Sequence, residues 1–558
     1  MPTIEISKKD LQNLVRRKFS LEKASEWVKA SFSPKGNLLT VELRDVNRPD
    51  LWSVEGIARE IKTRLGIDVH YSVKQGNYVV KVSNKVKDVR PKIVAAVVKD
   101  LKFDEEAIKQ LIQLQEKLAE LFGLKRREVA IGVYDFDKIE WPITYTTAKP
   151  ELRFVPLGFK KELSLKEILQ RHEKGIAYGH LIKEAKEWPI LIDKSKNVLS
   201  MPPIINSEYS GKVTTETKNV FVEVTGFNDR FILHALNIMV MALADRGGKV
   251  ETVKIKQGFK TKTTPEFREK KLRANIGELK SILGLEINQK QLLSLIQKTG
   301  YKIKKQQQQI VEVIVPFWRQ DVMSARDIAE DIAISFGYNN FKALPLEVIS
   351  EGNLTKRTEF KKKISQFLVG FGAQEVATFI LTNKKTLFKK MMLKQEDVVE
   401  IKNPISANYS CLRSWILPCL LEFLSANKNA RFPQKIFEIS TTESIDNGRI
   451  EEKEKLCFVI SASDVTFTNI KQVLDFFMSW LNLSYTLEAI RHPSFTEGRV
   501  GKIIVKKEIR KERKKQENIE LGIIGEIHPS ILEKFNLVMP VAAFEIDLGE
   551  LLKIKEDK

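Results

Sequence analysis

Two different periods of apolar residues run along this chain. Apolar residues three and four positions apart predict a helix just after Asp50, and they are Leu51, Val54, Ile57, Ile61 and Leu65. A second helix is predicted to end at Gly123, because glycine tolerates the left-handed conformation common after a helix; its apolar residues are Ile108, Leu111, Ile112, Leu118 and Phe122. Short runs in which apolar and polar residues alternate follow these helices, and this alternation predicts strands.

Strand-like patterns dominate two stretches. The first, residues 128–257, is punctuated by proline and ends near the apolar helix HALNIMVMALADRGG; its strand-like runs are VAIGVYDF, ITYTT, LRFVPL, WPILID and NVFVEVTG. The second, residues 346–558, alternates amphipathic helices with the runs VATFILT, KIFEIS, EKLCFVIS, LGIIGEI and VAAFEID. Because the later runs mix continuous and alternating apolar residues, they predict a large, half-buried antiparallel sheet.

The segment between them, residues 265–338, has the order helix, helix, short strands, helix, which is typical of a winged-helix-like module. The glutamines at 306–309 separate two alternating runs, so we predict a hairpin tip there. The patterns together predict a multidomain α+β protein. Its predicted parts are an α+β module at 1–85, an α/β domain with a pocket at 86–264, the winged-helix-like module at 265–343 and the sheet domain at 344–558.

Length and charge restrict the class of protein. A chain of 558 residues needs several domains, because a single hydrophobic core stops growing at roughly 250–300 residues. The 93 Lys and Arg exceed the 72 Asp and Glu, and the formal net charge of +21 favours a polyanionic partner, above all nucleic acid. A Lys- and Glu-rich thermophilic surface is the alternative explanation. The basic run at 506–518 is interpreted as a solvated loop or helix rather than a binding arm.

Cysteine usage and hydropathy predict a cytoplasmic protein without membrane association. The chain has three cysteines, an odd number, and their spacing is not that of metal ligands; they are Cys411, Cys419 and Cys457. This favours packed thiols in a reducing compartment. The start MPTIEISKKD has no apolar core of the kind a secretory leader needs. The longest apolar stretch, residues 236–244, is far shorter than the roughly 20 residues of a membrane-spanning helix.

Several separated stretches carry the pattern of one known family. The first is RDVNRPDLWSVEGIAREI, with an Asn-Arg-Pro-Asp-Leu segment that opens a helix. In chain order the others are DFDKIEWPITYT, RFVPLGF, VLSMPPIINS, VPFWRQDVMSARDIAEDIAISFGYNN, HPSFTEGRVGKI and LGIIGEIHPSILEKFNLVMPVAAFEIDL. Their order resembles that of the β subunits of phenylalanine–tRNA ligases. The length, without an inserted oligonucleotide-binding domain or a carboxy-terminal anticodon-binding extension, is similar to archaeal and eukaryal members.

The resemblance implies a ligase of two α and two β subunits, in which the catalytic α subunit carries ATP, phenylalanine and the adenylation chemistry. It implies a class II synthetase-like fold for the carboxy-terminal domain. We find no Gly-rich segment ending in Glu-Arg there, and Gln434 and Lys435 stand where an arginine for the α-phosphate is expected. Since the charge that develops during adenylation would lack such cations, we predict a catalytically silent core.

The resemblance also implies an editing site in residues 86–264. An apolar pocket rejects an isostere with one added hydroxyl only about a hundredfold, so a phenylalanine site needs a second site that recognises tyrosine. By resemblance to archaeal members, Leu191, Ser200, Asn206, Glu223 and Thr225 line that editing pocket. Glu223 and Thr225 share one face of a strand.

In this hypothesis Glu223 accepts the proton of the tyrosine phenol. Ser200, Asn206 and Thr225 hold the aminoacyl group, the terminal ribose or a water that performs the hydrolysis. Without the family resemblance, Ser, Thr and Asn at such positions are interpreted as turn formers or helix caps.

Acidic residues form another candidate site. Asp327, Glu330 and Asp331 share one helix face at i, i+3 and i+4, and Asp321 lies just upstream. Carboxylates suit Mg²⁺, and these positions match the magnesium ligands proposed for the family at the contact with the α subunit. Pairing with Arg319 or Arg326, or an exposed helix face, is the alternative.

Aromatic residues and histidines add no further chemistry to this hypothesis. Trp52, Trp188 and Trp318 are interpreted as packed anchors, so tRNA(Phe) is expected to be bound by Lys and Arg through its backbone and shape. His180 and His234 receive no catalytic role. Two rival functions stay open: a tRNA-binding and assembly subunit that lacks editing, and a self-sufficient synthetase.

Overall fold

The computed structural model describes residues 2–345, 350–508 and 516–556. The chain divides into two compact units, Met1–Pro345 and Leu346–Lys558, and both mix helices with sheets. The multidomain α+β prediction is therefore confirmed, whereas the predicted domain limits stay predictions. The basic run at 506–518 falls largely outside the described residues. Across the described ranges, every helix is too short or too polar to span a bilayer.

The amino-terminal module packs helices on a small antiparallel sheet in the order β1-β3-β2. Its elements are β1 (Thr3–Ser7), α1 (Lys8–Val15), α2 (Leu21–Val28), β2 (Ala30–Lys35), β3 (Leu38–Leu43) and α3 (Val54–Arg64). The helix predicted after Asp50 begins later than expected, because Ser53 Oγ accepts a hydrogen bond from the amide of Gly56 and Pro49–Leu51 forms a separate 3₁₀ turn. Asp50 instead accepts two hydrogen bonds from Arg48, at 2.9 and 2.8 Å.

The centre of the first unit is a mixed sheet in the order β12-β11-β10-β7-β4-β14-β5-β13-β6, with β15 paired to β14. Its strands are β4 (Val73–Val82), β5 (Lys92–Lys99), β6 (Ala130–Asp135), β7 (Ile143–Ala148), β10 (Trp188–Ile192), β11 (Val198–Met201), β12 (Ile205–Asn206), β13 (Val220–Gly226), β14 (Lys249–Gln257) and β15 (Lys260–Thr264). Around it lie β8 (Arg153–Phe154), β9 (Leu163–Ser164), α4 (Glu105–Lys117), α5 (Leu165–Arg171), α6 (Glu173–Tyr178), α7 (Glu208–Gly211) and α8 (Asp229–Asp245).

The end of α4 differs from the sequence prediction. The helix continues as a π-helical turn, Leu118–Phe122, before Gly123. Gly123 has a φ of −83°, and the left-handed conformations occur at the next three residues, with φ between 49° and 64°. The position requires glycine for space, because a Cβ there would lie 2.5 Å from the carbonyl oxygens of both Ala119 and Val129.

A third module completes the first unit. It contains β16 (Lys270–Asn275), α9 (Ile276–Leu283), α10 (Gln289–Lys298), β17 (Lys302–Gln307), β18 (Ile310–Val315) and α11 (Ala325–Phe336), with the sheet order β16-β18-β17. The hairpin predicted at the glutamines is confirmed: Gln307 pairs with Ile310, and the two residues between them form the turn. Its core consists of the inward faces of these helices and strands.

The second unit is built on the sheet β19-β22-β23-β27-β26-β25-β24, which is antiparallel except for the pairing of β19 with β22. Its strands are β19 (Gln374–Glu375), β20 (Leu381–Thr382), β21 (Cys411–Leu412), β22 (Gln434–Asp446), β23 (Arg449–Ser461), β24 (Tyr485–Ala489), β25 (Phe495–Glu508), β26 (Gln516–Ile527) and β27 (Val541–Asp547). The helices are α12 (Lys356–Gly370), α13 (Leu417–Ala426), α14 (Phe467–Trp480), α15 (Pro529–Lys534) and α16 (Leu548–Glu556).

The large antiparallel sheet predicted for this unit is confirmed. The strand predicted over the run VATFILT is wrong for most of its length. Only its last two residues form a strand, β20, which pairs with β21. Phe379 in this run is 73% exposed, so the apolar pattern there does not reflect burial in the sheet.

Candidate functional site

The central sheet curls until its two ends meet. β12 and β6 stand at opposite ends of the strand order, yet Asn206 Nδ2 on β12 donates to the carbonyl oxygen of Val133 on β6 at 3.3 Å. Beside this contact, the hydroxyl oxygens of Tyr134 on β6 and Ser200 on β11 lie 2.8 Å apart in a hydrogen bond. We call the line where β6 meets β11 and β12 the seam.

A cavity of about 290 Å³ lies at the seam, near the lower end of the roughly 300–1,000 Å³ of small-molecule sites. Helix α4 covers part of it with the apolar side chains of Ile108, Leu111 and Ile112. Three of the residues predicted from the sequence to form the editing pocket also line it, and they are Ser200, Asn206 and Glu223. The cavity is therefore apolar over much of its wall with a few polar groups, as a site for an amino-acid side chain requires.

Glu223 is a buried carboxyl group with one oxygen engaged and one free. It lies on β13 and is 2% exposed. Its Oε1 accepts a hydrogen bond from the hydroxyl of Tyr134 at 3.0 Å, whereas Oε2 has no hydrogen-bond partner among the described residues. Burial raises the pKa of Glu223 to about 7, although the Tyr134 hydrogen bond and the charge of Arg90 lower it. The free oxygen is an acceptor that a ligand hydroxyl in the cavity can satisfy.

Gly132 makes room for the pair of Tyr134 and Glu223. It lies opposite Glu223 in the pairing of β6 with β13. A Cβ at Gly132 would lie 2.2 Å from Tyr134 Oη and 2.6 Å from Glu223 Oε1. A glycine inside a strand marks such a close approach, and this is the sequence signal, in the run VAIGVYDF, that would have added Tyr134 to the predicted site.

Ser200 and Asn206 come from the two short strands on the other side of the seam. They pair with one another across β11 and β12, so the hairpin sets their separation. Gly211, at the end of α7, packs against Asn206, and a Cβ there would lie 2.4 Å from Asn206 Cβ. Local packing thus restricts the conformation of Asn206 toward the cavity wall.

Leu191 and Thr225 lie outside the lining of this cavity. Leu191 is fully buried in an apolar cluster and pairs with Ser200 in the sheet. Thr225 is also fully buried, and its Oγ1 accepts a hydrogen bond from Arg90 Nε at 2.9 Å. Arg90 Nη2 donates to the carbonyl oxygen of Thr225 at 2.6 Å, so this arginine anchors the end of β13. The editing roles given to these residues stay predictions.

Basic side chains stand among the lining residues. Arg126, Lys174 and Lys212 all belong to the lining, with Glu116 as the acidic neighbour of Lys174 at 3.7 Å. Arg126 Nη1 donates to the carbonyl oxygens of Pro203 and Ile204, at 3.1 and 2.8 Å, and so is held in place. These cations suit a polyanionic ligand at the same site.

The predicted magnesium ligands are each engaged within the chain. Arg319 Nη2 lies 2.7 Å from Asp321 Oδ2 and 2.8 Å from Asp331 Oδ2, which confirms the pairing with Arg319 named as the alternative. Asp327 accepts from the amides of Met323 and Ser324, and the exposed Glu330 pairs with Lys29. Burial alone would raise the pKa of Asp331, but the charges of Arg319, Arg64 and Arg48 outweigh it and lower the pKa to about 2.

These carboxylates therefore do not form a metal-binding arrangement. A Mg²⁺ site needs oxygen ligands that converge without competing cations, and here arginine occupies the space between Asp321 and Asp331. In the described parts of the chain, no group of three or more His, Cys, Asp or Glu side chains could hold a metal ion. The described residues do not fit the ion, and the magnesium assignment stays a prediction.

In the second unit, the positions where an arginine was expected have structural partners. Gln434 Nε2 donates to the carbonyl oxygens of Asn427 and Ala430, and Lys435 lies over the ring of Phe371. Deeper in the sheet, the fully buried Arg413 pairs with Glu438 at 2.7 Å. Other buried glutamates on the same sheet are Glu443, Glu454 and Glu545.

The tryptophans lie as the sequence indicated, and neither His180 nor His234 lines the seam cavity. Trp52 and Trp188 are buried, and Trp318 is half-buried in edge-on contact with neighbouring aromatic rings, so all three are packed anchors. His180 is exposed on a short turn. His234 is buried on α8, and burial lowers its pKa to about 4.

Family models match three regions of the chain. The B3/4 domain model matches residues 77–241, which contain the seam and its cavity. The tRNA synthetase B5 domain model matches residues 272–338, and the model of the phenylalanyl tRNA synthetase beta chain CLM domain matches residues 342–548. These matches define the class as subunits of aminoacyl-tRNA synthetases.

Curated relatives agree with these models. The phenylalanine–tRNA ligase beta subunit of Pyrococcus horikoshii is 44% identical over 570 residues, which cover 99% of this chain and 100% of that protein. The beta subunit of Archaeoglobus fulgidus is 34% identical and covers 91% of both chains. The chain belongs to the phenylalanine–tRNA ligase beta-subunit family. A crystal structure of an N-terminal fragment of the Pyrococcus horikoshii beta subunit is similar, with a TM-score of 0.58 and 45% identity over 60% of this chain and 100% of the fragment.

Proposed function

We propose that this chain is the editing and tRNA-binding subunit of a cytoplasmic phenylalanine–tRNA ligase. It assembles with a catalytic α subunit as an α2β2 heterotetramer, binds tRNA(Phe) and hydrolyses tyrosine wrongly joined to that tRNA. Family membership supports the partner and the tRNA, and the net charge of +21 supports a polyanionic ligand. Phenylalanine and ATP are then used by the α subunit.

The observation that carries the editing proposal is the free Oε2 of the buried Glu223 in the lining of the seam cavity. A tyrosine side chain brings a phenol hydroxyl that can donate to this oxygen, whereas phenylalanine leaves it without a partner. Leaving a buried acceptor unsatisfied costs about 1–3 kcal/mol, or roughly a factor of ten to a hundred in binding. The cavity therefore favours the wrong amino acid, as an editing site must.

Hydrolysis needs a water positioned at the ester bond. Ser200 and Asn206 lie in the wall that contains Glu223 and supply a hydroxyl and an amide for this purpose. Thr225 contributes through the backbone of β13, since its hydroxyl oxygen accepts from Arg90. The cations Arg126, Lys174 and Lys212 would bind phosphates of the tRNA end. No step in this proposal uses Mg²⁺.

The remaining domains serve assembly and tRNA binding in this proposal. Residues 265–343 act as a winged-helix-like module, and residues 344–558 act as a catalytically silent class II synthetase-like core. The pairing of the buried Arg413 with Glu438 supports the silent core, because this arginine is not free to bind the phosphates of ATP. The purified chain alone should then catalyse no ATP–pyrophosphate exchange, and measurable exchange would favour the self-sufficient synthetase.

The editing proposal is tested with the αβ complex and tyrosyl-tRNA(Phe). We expect Glu223→Gln to slow deacylation of this substrate by about tenfold or more, because the hydrogen bond from the phenol to a carboxylate is lost. Glu251→Gln is the matched control, since Glu251 also accepts from a tyrosine hydroxyl in the central sheet but does not line the cavity.

Each outcome of this comparison has a definite meaning. Loss of deacylation in Glu223→Gln but not in Glu251→Gln supports editing at the seam. If the wild-type complex leaves tyrosyl-tRNA(Phe) intact, or if Glu223→Gln deacylates it as fast as the wild type, the rival holds and the chain binds and assembles without editing at this cavity.

A further inference from the structure

We infer that Tyr134 is a positioning residue for editing, which holds one oxygen of the Glu223 carboxyl so that the other stays available to the hydroxyl of the substrate. The inference rests on the proposed editing function. It deepens that function, because it assigns the recognition of tyrosine to a pair of side chains rather than to Glu223 alone.

The hydrogen bonds of Tyr134 place it between the two sides of the seam. Its hydroxyl lies 3.0 Å from Glu223 Oε1 and 2.8 Å from Ser200 Oγ. A phenol has a single proton and can also accept, so when Tyr134 donates to Glu223 the hydroxyl of Ser200 can donate to Tyr134 Oη. Ser200, Tyr134 and Glu223 then form one chain of hydrogen bonds that ends at the free Oε2.

The ring of Tyr134 is enclosed by its neighbours. It is fully buried, and its centroid lies 5.6 Å from that of Phe221. Gly132 leaves the space in which the phenol and the carboxylate meet, since a Cβ there would lie too close to both groups. A carboxyl group held on one side by a rigid donor presents its second oxygen in a defined direction, which recognition of a single hydroxyl requires.

The contact of Tyr134 with Glu223 resembles the contact that we propose between the phenol of the substrate and Glu223. In the free protein, Glu223 Oε1 accepts from a tyrosine of its own chain. In the proposed complex, Oε2 accepts from the phenol of the substrate, so both oxygens are satisfied only when tyrosine is bound. Without Tyr134, the carboxyl can turn and offer either oxygen, and the preference for a hydroxyl at one place in the cavity weakens.

The test measures deacylation of tyrosyl-tRNA(Phe) and phenylalanyl-tRNA(Phe) by the αβ complex carrying Tyr134→Phe. We expect the rate for tyrosyl-tRNA(Phe) divided by the rate for phenylalanyl-tRNA(Phe) to fall by about tenfold, which is the effect of one hydrogen bond to a charged group. Tyr78→Phe is the matched control, because Tyr78 donates to Glu251 at 3.0 Å in the same sheet and does not line the cavity. We expect its ratio to equal that of the wild type.

Two further readouts separate positioning from a structural role. Tyr134 lowers the pKa of Glu223, so Tyr134→Phe should move the pH profile of tyrosyl-tRNA(Phe) deacylation toward higher pH. In a Glu223→Gln background, Tyr134→Phe should change the ratio of rates little, because it acts through Glu223. Equal losses with and without Glu223 would overturn the inference.

Folding of the variants is checked by thermal unfolding. If Tyr134→Phe does not fold, Gly132→Ala tests the same pair, since its methyl group forces the phenol and the carboxylate apart without removing either. A wild-type rate ratio in the folded Tyr134→Phe or Gly132→Ala complex refutes the role of Tyr134 while leaving editing intact. A wild-type complex that spares tyrosyl-tRNA(Phe) refutes the proposed function and this inference together.

Discussion

Arg319 donates to the carboxylate of Asp331 at 2.8 Å, and both side chains are almost completely buried. Arg64 of the amino-terminal helix α3 lies 3.4 Å from the other oxygen of the same carboxylate. The hydroxyl of Tyr301 donates to it as well. Asp331 thus joins α3 to α11, two modules that are separate in the sequence, and charge pairing inside the protein accounts for the acidic residue on that helix face.

Breaking this network should destabilise the first unit. We expect Asp331→Asn to lower the free energy of unfolding by about 3 kcal/mol, because buried Arg319 and Arg64 would lose a shared carboxylate partner and keep only Asp321 and Glu60. Urea unfolding of the full chain measures this. Glu330→Gln is the control on the same helix, and since Glu330 is about half exposed, we expect a loss below about 1 kcal/mol. Equal effects of the two changes would contradict the network.

Magnesium should leave the stability of this chain unchanged. The carboxylates of Asp321 and Asp331 are already neutralised by Arg319, so Mg²⁺ would have to displace an arginine that is buried with them. Thermal unfolding in millimolar Mg²⁺ and in EDTA is the measurement, and we expect the same midpoint in both. A rise with Mg²⁺ that disappears in Asp331→Asn would instead support the predicted metal site.

Because of Glu223, the free energy of unfolding should fall as the pH rises toward neutrality. Its pKa is about 7 in the folded chain against an ordinary value of 4.5, so the folded state keeps the proton that the unfolded state loses in this window. This proton contributes about 3 kcal/mol to the free energy of unfolding. The contribution is fully present below pH 4.5, decreases between pH 4.5 and about pH 7, and is lost at higher pH.

The measurement compares urea unfolding of wild type and Glu223→Gln between pH 4.5 and 8. Glutamine does not titrate, so the difference between the two curves should follow the ionisation of Glu223. A difference that is constant across this range would show that the carboxyl titrates normally.

Thr225→Val should act mainly on stability. The substitution keeps the shape of the side chain but leaves Arg90 Nε without an acceptor in the interior, which should cost about 1–3 kcal/mol. Because Thr225 does not line the cavity, we expect deacylation of tyrosyl-tRNA(Phe) to fall less than in Glu223→Gln. A larger loss of deacylation than in Glu223→Gln would give the hydroxyl of Thr225 a direct part in the reaction.

Much of the fold follows from local pattern. The helical period predicts α3 and α4, the glutamine turn predicts the hairpin of β17 and β18, and the alternating runs predict the sheet of the second unit. The failures have local reasons too. Helix α3 begins only after its cap Ser53, because residues 49–51 form a separate turn, and Phe379 in the apolar run VATFILT is exposed.

The candidate site was predictable only in part. The family resemblance named Ser200, Asn206 and Glu223, which do meet in one cavity. Tyr134 was missed because a tyrosine in a strand is ordinarily a packing residue, and the sequence signals its contact with Glu223 only through Gly132. The acidic residues of α11 looked like a metal site because their spacing is visible in the sequence, whereas their arginine partner Arg64 comes from a distant module.

The sequence by itself determined the periods of its helices and strands and the family to which the chain belongs, because both are recorded in short windows of residues. Only the tertiary structure decided that the sheet curls into a seam, where Tyr134 meets residues 66 and 89 positions further along the chain. It also decided which charges neutralise one another in the interior. Such contacts depend on how the whole sheet twists and closes, and no local pattern records that geometry.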